Sequence, residues 1–332
     1  MTTLNEFLDG WAEGSAERAP VAATVSALVS GAIEVSRQLA RSDGTEEQAA
    51  EAEHVAEVAL IAALGDAPVA WVASERGSAP VALRDGAPLA VAIDPLDGSG
   101  NVAIDGPSGT IFSILAMPAD PGGPVAVFLQ PGERQIAAGF VLHSQHTALV
   151  LTLRQGTHLF ILDRDSGEFR LARRDLRVPE GRRLYAINAA NYRYWDPSIR
   201  GYVDDCIAGE AGPRGADFNM RWMGCATGEL MRILVRGGVY LYPGDTRAGY
   251  RQGRLRLVFA ANPLALILEQ AGGAATSGAD PILGLVPQTL HQRVPLVFGS
   301  CDKVERVAGY HTGRLPSGEH SPLFGKRGLF RV

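Results

Sequence analysis

The stretch Ile-Asp-Pro-Leu-Asp-Gly-Ser-Gly-Asn at residues 93–101 limits the possible folds of this chain more than any other. It ends an apolar run at residues 88–93, which predicts a buried strand. Asp94 and Asp97 therefore lie where this strand gives way to a turn. The proline restricts the backbone and the glycine permits a reversal, so both carboxylates and the Leu96 carbonyl can converge on one point.

Converging oxygen atoms are the ligands that hard divalent cations such as magnesium prefer, and a backbone carbonyl can be among them. The backbone N–H groups of Gly98, Ser99, Gly100 and Asn101 follow at once, and such a run forms a cradle for phosphate. The pattern therefore predicts a metal-dependent site for a phosphoester. An ordinary acidic turn is the structural alternative.

The composition predicts a globular protein with a sizeable core. The chain has 332 residues, of which 46% are hydrophobic, and this length suggests about two domains. Its formal net charge is only -5 and its basic residues are scattered, so we expect no nucleic-acid partner.

The cysteines and the N-terminal residues predict a cytoplasmic location. Cys206, Cys225 and Cys301 lie far apart in sequence and form no zinc-type spacing, which favours a reducing compartment without disulfides. The N-terminal residues lack the basic and apolar order of a signal peptide, and no uninterrupted apolar run reaches membrane-spanning length. We therefore expect no membrane partner.

The hydrophobic pattern of the first half predicts two helices, at residues 21–40 and 46–64, followed by a largely antiparallel sheet. The strands of this sheet are predicted at residues 69–72, 89–93, 110–116, 137–142, 147–153 and 158–162. The charged segment at residues 170–183 is a candidate junction between the two halves of the chain.

The second half alternates strands with helices, which predicts an α/β arrangement. Strands are predicted at residues 184–187, 239–242, 255–259 and 294–298, and helices at residues 196–207, 225–236 and 263–271. We divide the chain into an N-terminal domain at residues 1–178, which carries the predicted metal and phosphate site, and a C-terminal α/β domain at residues 179–332, for which the family resemblance described below implies sugar-phosphate binding. The apolar tail at residues 313–332 is expected to pack on a neighbouring surface.

Asp94-Pro-Leu-Asp-Gly-Ser resembles the signature of the lithium-sensitive, magnesium-dependent phosphatase superfamily that includes inositol monophosphatases. More specifically, the chain resembles class 1 fructose-1,6-bisphosphatase, because further landmarks keep that family's order and spacing. These landmarks are Ala73-Ser-Glu75, Gly109-Thr-Ile-Phe112, Leu129-Gln-Pro-Gly132, Ala186-Ile-Asn188, Arg236-Gly-Gly-Val-Tyr-Leu-Tyr-Pro243, Glu269-Gln-Ala-Gly-Gly273, His291-Gln-Arg-Val-Pro295 and Phe298-Gly-Ser300.

The resemblance implies a fold, an activity and an assembly. The fold is a layered α-β-α-β-α sugar phosphatase fold, with N-terminal helices on a mostly antiparallel sheet followed by a mixed α/β half. The activity is hydrolysis of the 1-phosphate of fructose 1,6-bisphosphate with magnesium, or manganese as the alternative cation. The family serves gluconeogenesis or the Calvin cycle, and the resemblance implies a cytoplasmic homotetramer.

The resemblance also implies which residues form the reacting centre. Glu75, Asp94 and Asp97, with the Leu96 carbonyl, would hold the metal ion, and Glu53 would help Glu75 to orient the attacking water. Asp97 and the three residues after it, Gly98, Ser99 and Gly100, would contact the phosphate to be cleaved.

Four further residues would bind the other phosphate of the sugar, and they are Asn188, Arg221, Tyr242 and Arg254. Arg254 replaces the family's usual lysine, and Trp222 replaces a tyrosine beside this group. Each of the four also has a structural interpretation: an exposed charge for the arginines, a turn cap for Asn188 and a buried aromatic ring for Tyr242.

The chain departs from the family's pattern around the metal. Ala260 stands where the family has a metal-binding glutamate, and Arg76 replaces the second acid of a Glu-Glu pair. Glu53 replaces an aspartate, and the loop before it is shortened to residues 40–44. The remaining carboxylates can hold one magnesium ion and a weaker second one.

Arg76 leaves two interpretations open. It could neutralise charge that develops on a transferring phosphoryl group, as arginines do elsewhere. It could instead pair with Glu75 or Asp94 and displace a metal ion.

Three functional hypotheses follow. The first is the fructose-1,6-bisphosphatase activity. The second is a phosphosugar-binding or regulatory paralogue with weak turnover, supported chiefly by Ala260. The third is a phosphatase with another substrate, such as sedoheptulose 1,7-bisphosphate or a monophosphate, because the residues of a site and not the fold set its substrate.

Two other candidate sites carry less weight. His143 and His146 lie at a predicted strand end without converging acids, so we interpret them as polar strand-end residues rather than metal ligands. Cys225 has no histidine near it in sequence, which favours a small buried residue over a nucleophile.

Overall fold

The computed structural model describes residues 2–41, 45–120 and 122–315. Its helices are α1 (Leu4–Ala12), α2 (Arg18–Leu39), α3 (Glu46–Ala63), α4 (Pro197–Ile207), α5 (Ala226–Arg236), α6 (Asn262–Gln270) and α7 (Cys301–His311). The predictions of α2 and α3 are confirmed. Helix α1 was not predicted, although its N-terminus carries a capping box in which the side chains of Thr3 and Glu6 satisfy each other's backbone N–H groups.

The first sheet holds eight strands in the order β2-β1-β3-β4-β5-β6-β7-β8. They are β1 (Val69–Ser74), β2 (Val81–Ala82), β3 (Leu89–Asp97), β4 (Ser108–Ala116), β5 (Gln135–His143), β6 (Ala148–Thr152), β7 (Thr157–Asp163) and β8 (Glu168–Arg173). Only β1 and β3 pair in parallel. The prediction of a largely antiparallel sheet is therefore confirmed, but β8 occupies part of the segment that was predicted to be a junction.

The second sheet holds five strands in the order β10-β9-β11-β15-β13, and β12 pairs with β14 beside it. The strands are β9 (Leu184–Ala186), β10 (Asn219–Met220), β11 (Val239–Tyr242), β12 (Leu255–Arg256), β13 (Gly273–Thr276), β14 (Arg293–Val294) and β15 (Leu296–Ser300). Both parallel and antiparallel pairs occur in it. The mixed character expected of the second half is confirmed.

Three buried apolar clusters show that helices and sheets alternate in layers. Helices α1 to α3 pack on one face of the first sheet. Helices α5 and α6 lie between the two sheets, where Phe140 of β5, Leu264 of α6 and Phe298 of β15 share one cluster. Helices α4 and α7 cover the far face of the second sheet. This α-β-α-β-α order confirms the predicted layered fold and places α5 directly between the two sheets.

The segment at residues 255–259 differs from its prediction as one strand. Only Leu255–Arg256 is extended, and Leu257–Ala261 forms a π-helical turn that leads into α6. All five residues of this turn are buried. A short apolar run that is buried all round has no periodicity to distinguish a strand from a helical turn, so the pattern alone predicted the wrong element.

Helix α2 is long and apolar enough to cross a membrane by length and composition alone, which the sequence analysis did not anticipate. Its 22 residues include an 18-residue window of mean hydropathy 1.4, of which 44% is buried. Val21, Val25 and Leu28 are buried in the cluster under the first sheet. A buried core helix has the same composition, so this feature is weak evidence for a membrane span.

Two predictions have no structural test. The division of the chain at residues 178 and 179 stays a prediction, with the first sheet before it and the second sheet after it. Most of the predicted C-terminal tail, from residue 316 onward, lies outside the described residues, as do residues 42–44 of the shortened loop.

Candidate active site

Asp94 and Asp97 lie at the end of β3, where the strand register is interrupted. Asp94 pairs with Ile111 and Asp97 with Gly109, and the irregularity between these pairs holds the proline and leucine. The Thr110 hydroxyl donates to the Pro95 carbonyl oxygen at 2.9 Å. The bulge is thus fixed from the neighbouring strand. The sequence predicted that the strand gives way to a turn here, whereas β3 continues through the bulge to Asp97.

His143 supports this bulge from the next strand. Its Nε2 lies 3.1 Å from the Thr110 hydroxyl oxygen. Thr110 uses its only hydrogen on the Pro95 carbonyl, so His143 donates through Nε2, which assigns the neutral tautomer. In the described part of the chain the buried Nδ1 has no hydrogen-bond partner. Burial lowers the pKa of His143 to about 4, and His143 is a buried support of the bulge.

The structure brings the four predicted acids into one cluster around Asp94. Burial, followed by the charges of Glu75 and Asp97, raises the pKa of Asp94 well above its usual value, and Glu53 adds to the effect. A hydrogen bond with the Glu75 side chain also favours the protonated form of Asp94. These acids therefore repel one another, and a cation between them would relieve the repulsion.

The predicted donor set, carboxylate oxygens with the Leu96 carbonyl, is of the kind that a hard divalent cation prefers. Across residues 2–41, 45–120 and 122–315, no three acidic, histidine or cysteine side chains already stand in a ligating arrangement. Glu75 and Asp97 are nevertheless the acids whose charges act most strongly on Asp94. The chemistry of the residues thus fits a divalent metal ion.

Asp97 is held by the N-terminal end of α5. Thr227 donates to Asp97 Oδ2 twice, from its backbone N–H at 2.8 Å and from its hydroxyl at 2.9 Å. The Cys225 Sγ lies 3.2 Å from the same oxygen. These hydrogen bonds oppose the effect of burial, which raises the pKa of Asp97. Asp97 is therefore anchored to the second half of the chain.

The turn after Asp97 begins at a glycine in the left-handed conformation. Gly98 has a φ of 72° and begins a 3-10 turn over Ser99–Ile104. The N–H of Asn101 donates to the Gly98 carbonyl oxygen at 2.8 Å, so Asn101 is not part of the cradle. Its side-chain amide donates instead to the carbonyls of Pro107 and Met223. That Gly98, Ser99 and Gly100 contact the phosphate stays a prediction.

Two arginines pair with acids of the cluster. Arg256 Nε donates to Glu75 Oε1 at 2.8 Å. Arg76 donates to Glu53 at 3.0 Å and to Glu57 at 3.3 Å. The sequence left open a pair between Arg76 and either Glu75 or Asp94, and the structure contains neither of these among its described ion pairs.

Ala260 offers no ligand to the site. It lies in the π-helical turn, 1% exposed, within the apolar cluster between the two sheets. The position is filled by hydrocarbon packing, so the carboxylates of the site come from β1, β3 and α3.

An aromatic group forms another side of the region near Asp97. Trp222 stacks on Tyr240 with ring centroids 5.7 Å apart and meets Tyr242 edge-on. Burial raises the pKa of Tyr242, and the nearby Arg254 guanidinium opposes this rise. Arg254 lies over the ring of Tyr250. Tyr242 and Arg254, predicted to bind the second phosphate, are thus brought together.

Asn188 and Arg221 make the contacts expected of a turn cap and of an exposed charge, respectively. The Asn188 side chain accepts the Ala190 N–H and caps a 3-10 turn. Arg221 is exposed and donates to the Met220 carbonyl oxygen. Within the described residues, no hydrogen bond or ion pair joins either of them to Tyr242 or Arg254.

Sequence reasoning did not assign a site role to Arg256, Thr227 or Cys225. Arg256 could have been considered, because it lies two residues after Arg254, at the start of the predicted strand. Cys225 was correctly predicted to be small and buried. Thr227 had no sequence signal, since its contact with Asp97 depends on the packing of α5 against β3.

Comparison with known proteins gives the family. Residues 30–174 match Fructose-1-6-bisphosphatase, N-terminal domain, and residues 178–312 match Fructose-1-6-bisphosphatase, C-terminal domain. The class 1 fructose-1,6-bisphosphatase of Rhizobium meliloti is 54% identical over 274 residues, which are 82% of this chain and 78% of the relative. The class 1 fructose-1,6-bisphosphatase of Methylorubrum extorquens is 48% identical over 313 residues, which are 90% of this chain and 89% of that relative.

Comparison with solved structures identifies the same family. The crystal structure of Leishmania major fructose-1,6-bisphosphatase in holo form superposes with a TM-score of 0.87 at 28% sequence identity, covering 93% of this chain and 99% of that one. The T-state structure of the same protein superposes with a TM-score of 0.86 at 27% sequence identity, covering 94% of this chain and 99% of that one. Sequence and fold agree along nearly the whole chain, and this chain belongs to the class 1 fructose-1,6-bisphosphatase family.

Proposed function

We propose that this chain hydrolyses the 1-phosphate of fructose 1,6-bisphosphate to fructose 6-phosphate and inorganic phosphate. One observation carries the proposal: the acids around Asp94 lie directly beside the N–H groups of Gly98, Ser99 and Gly100. Carboxylates that suit a cation next to donors that suit a phosphate are the two parts that phosphoester hydrolysis needs. The curated relatives carry the name of this activity.

We infer magnesium as the cation, with manganese as its substitute. Asp94, Asp97, Glu75 and the Leu96 carbonyl would hold it. When bound, the ion supplies positive charge that activates water and offsets charge on the phosphoryl oxygens.

The chain's own residues complete the site. The N–H groups of residues 98–100 bind phosphoryl oxygens. Glu75 orients the attacking water, and Arg256 fixes the Glu75 carboxylate through its 2.8 Å hydrogen bond. Glu53 contributes less to orienting water, because Arg76 already occupies one of its oxygens.

The second phosphate is assigned to Tyr242 and Arg254, with Asn188 and Arg221 as further contacts. A guanidinium binds phosphate through two parallel hydrogen bonds, so arginine at position 254 suits this role. Arg254 and Arg221 are both exposed and available to a ligand.

The assembly and location are proposals that rest on the family. We propose a cytoplasmic homotetramer acting in gluconeogenesis or carbon fixation, without nucleic-acid or membrane partners. The three cysteines are free thiols, which suits a reducing compartment. Light scattering during gel filtration tests the tetramer directly.

Phosphate release from three substrates tests the proposed activity. We expect rapid release from fructose 1,6-bisphosphate, slower release from sedoheptulose 1,7-bisphosphate and none from fructose 6-phosphate. Faster release from the seven-carbon sugar would replace the proposed substrate. Equal release from fructose 6-phosphate would contradict recognition of a bisphosphate.

A further inference from the structure

The geometry points to Thr227 and Cys225 as positioning residues for Asp97, through which helix α5 holds the cation and phosphate site in place. The inference rests on the proposed function. It assigns to the second half of the chain a direct part in shaping a site whose acids come from the first half.

The hydrogen bonds to Asp97 are concentrated on one oxygen. Three donors converge on Oδ2: the Thr227 backbone N–H, the Thr227 hydroxyl and the Cys225 thiol. The backbone N–H of Ala226, the residue between Cys225 and Thr227, adds a further hydrogen bond to the Asp97 carboxylate. A carboxylate held by one oxygen in this way has a fixed plane, and its other oxygen keeps a fixed direction.

Two glycines allow this close approach. A Cβ on Gly98 would lie 2.8 Å from the Cβ of Cys225, and a Cβ on Gly109 would collide with the Thr227 hydroxyl. Gly109 is the β4 partner of Asp97 in the first sheet. The helix end therefore fits against the strand ends only because both positions lack a side chain.

The helix end is itself fixed, so it can serve as an anchor. The Met223 N–H donates to the buried Glu229 carboxylate at 2.8 Å, and Arg232 pairs with the same carboxylate at 2.9 Å. Asn101 adds a second link from the site turn to this segment, donating to the Met223 carbonyl oxygen at 2.9 Å. Both Asp97 and the turn that follows it are thus tied to the start of α5.

The test replaces Thr227 and measures cation binding without substrate. Thr227→Val removes the hydroxyl donor at constant shape and keeps the backbone donor, whereas Thr227→Ser keeps both donors. Thr24→Val is the matched control, because Thr24 is also fully buried and donates its hydroxyl to a carbonyl, that of Pro20 in α2. Manganese binding is measured by electron paramagnetic resonance, and kcat and KM by phosphate release.

We expect Thr227→Val to weaken manganese binding about tenfold and to lower kcat about tenfold, the usual effect of losing a partner behind a ligand, with little change in KM. Thr227→Ser should restore both values, and Thr24→Val should change neither. Cys225→Ala should weaken manganese binding by a smaller factor, because a thiol is a weak donor.

Two outcomes overturn the inference. One is a folded Thr227→Val variant that binds manganese as tightly as the natural chain. The other is a Thr227→Ser variant as weak as Thr227→Val, which would make the methyl group, and not the hydroxyl, the important part. If Thr227→Val does not fold, unchanged manganese binding in Cys225→Ala overturns it. A natural chain that binds manganese but releases no phosphate contradicts the proposed function alone.

Discussion

Arginine side chains form ion pairs with two of the acids that surround Asp94. Arg76 pairs with Glu53, and Arg256 pairs with Glu75. The Arg76 pair is about one-third exposed on both sides, with side-chain exposures of 34% and 36%. Exposed pairs contribute at most about 1 kcal/mol to folding, so the pair matters more for the charge of the site than for stability.

Arg76→Gln should strengthen magnesium binding, because Glu53 then regains its full negative charge. We expect the half-saturating magnesium concentration for phosphate release to fall about threefold, the factor that corresponds to an exposed ion pair. Arg170→Gln is the matched control, since Arg170 and Asp163 form a pair of similar exposure, 35% and 32%, in the first sheet away from the acids. A lower kcat at unchanged magnesium dependence would instead assign Arg76 to the phosphoryl group.

His143 should make the folded state sensitive to acid. Its pKa is about 4 in the folded chain against 6.5 ordinarily, so the unfolded chain binds the proton more readily. Stability is therefore complete above pH 6.5 and falls as the pH drops toward 4, by about 3 kcal/mol in total. Urea unfolding of the natural chain and of His143→Gln at several pH values measures this loss of stability. The same dependence of the free energy of unfolding on pH in both proteins would contradict the prediction.

Elements with clear periodicity could be predicted, and elements defined by contacts could not. Helices α2 and α3 and most strands of the first sheet follow from their apolar patterns. Strand β8 was missed because its alternating charged residues resemble a linker, although Phe169 points into the core. Helix α7 was missed because charged residues are frequent in its sequence and it has only three large apolar residues, Val304, Val307 and Tyr310, all of them buried.

The turn that follows Asp97 depends on glycine for two separate reasons. Gly86 has nearly the same φ as Gly98, 70° against 72°, but open space around it. A substitution at Gly86 therefore measures only the cost of the left-handed backbone conformation. Gly86→Ala should cost about 1 kcal/mol of folding free energy from left-handed strain alone. Gly98→Ala should cost about 2 kcal/mol more, because the new Cβ also overlaps Cys225.

Phosphate release separates these two glycine variants further. Gly98→Ala displaces the N–H groups of the cradle and should lower kcat at least tenfold, whereas Gly86→Ala should retain the natural rate. Thermal unfolding and steady-state kinetics provide both measurements. Equal loss of stability in the two variants would show that the contact with Cys225 is relieved without cost.

Across the whole molecule, the site lies where the two halves meet. The acids come from α3, β1 and β3, while their partners Thr227 and Arg256 come from α5 and β12. Motifs identified the acids, because Asp94 and Asp97 lie in one short stretch. Their partners lie 130 and 181 residues away from the acids that they contact, and only the packed fold brings such pairs together.

The most direct test of this account is phosphate release from fructose 1,6-bisphosphate, with and without magnesium, by the natural chain, Asp97→Asn and Ala260→Glu. We predict magnesium-dependent release by the natural chain that Asp97→Asn abolishes. Residue 260 is buried among apolar side chains, so we expect Ala260→Glu to lose stability and to release phosphate no faster than the natural chain. No release by the natural chain, with recovery in Ala260→Glu, would contradict the account and identify a phosphosugar-binding paralogue with a silenced site.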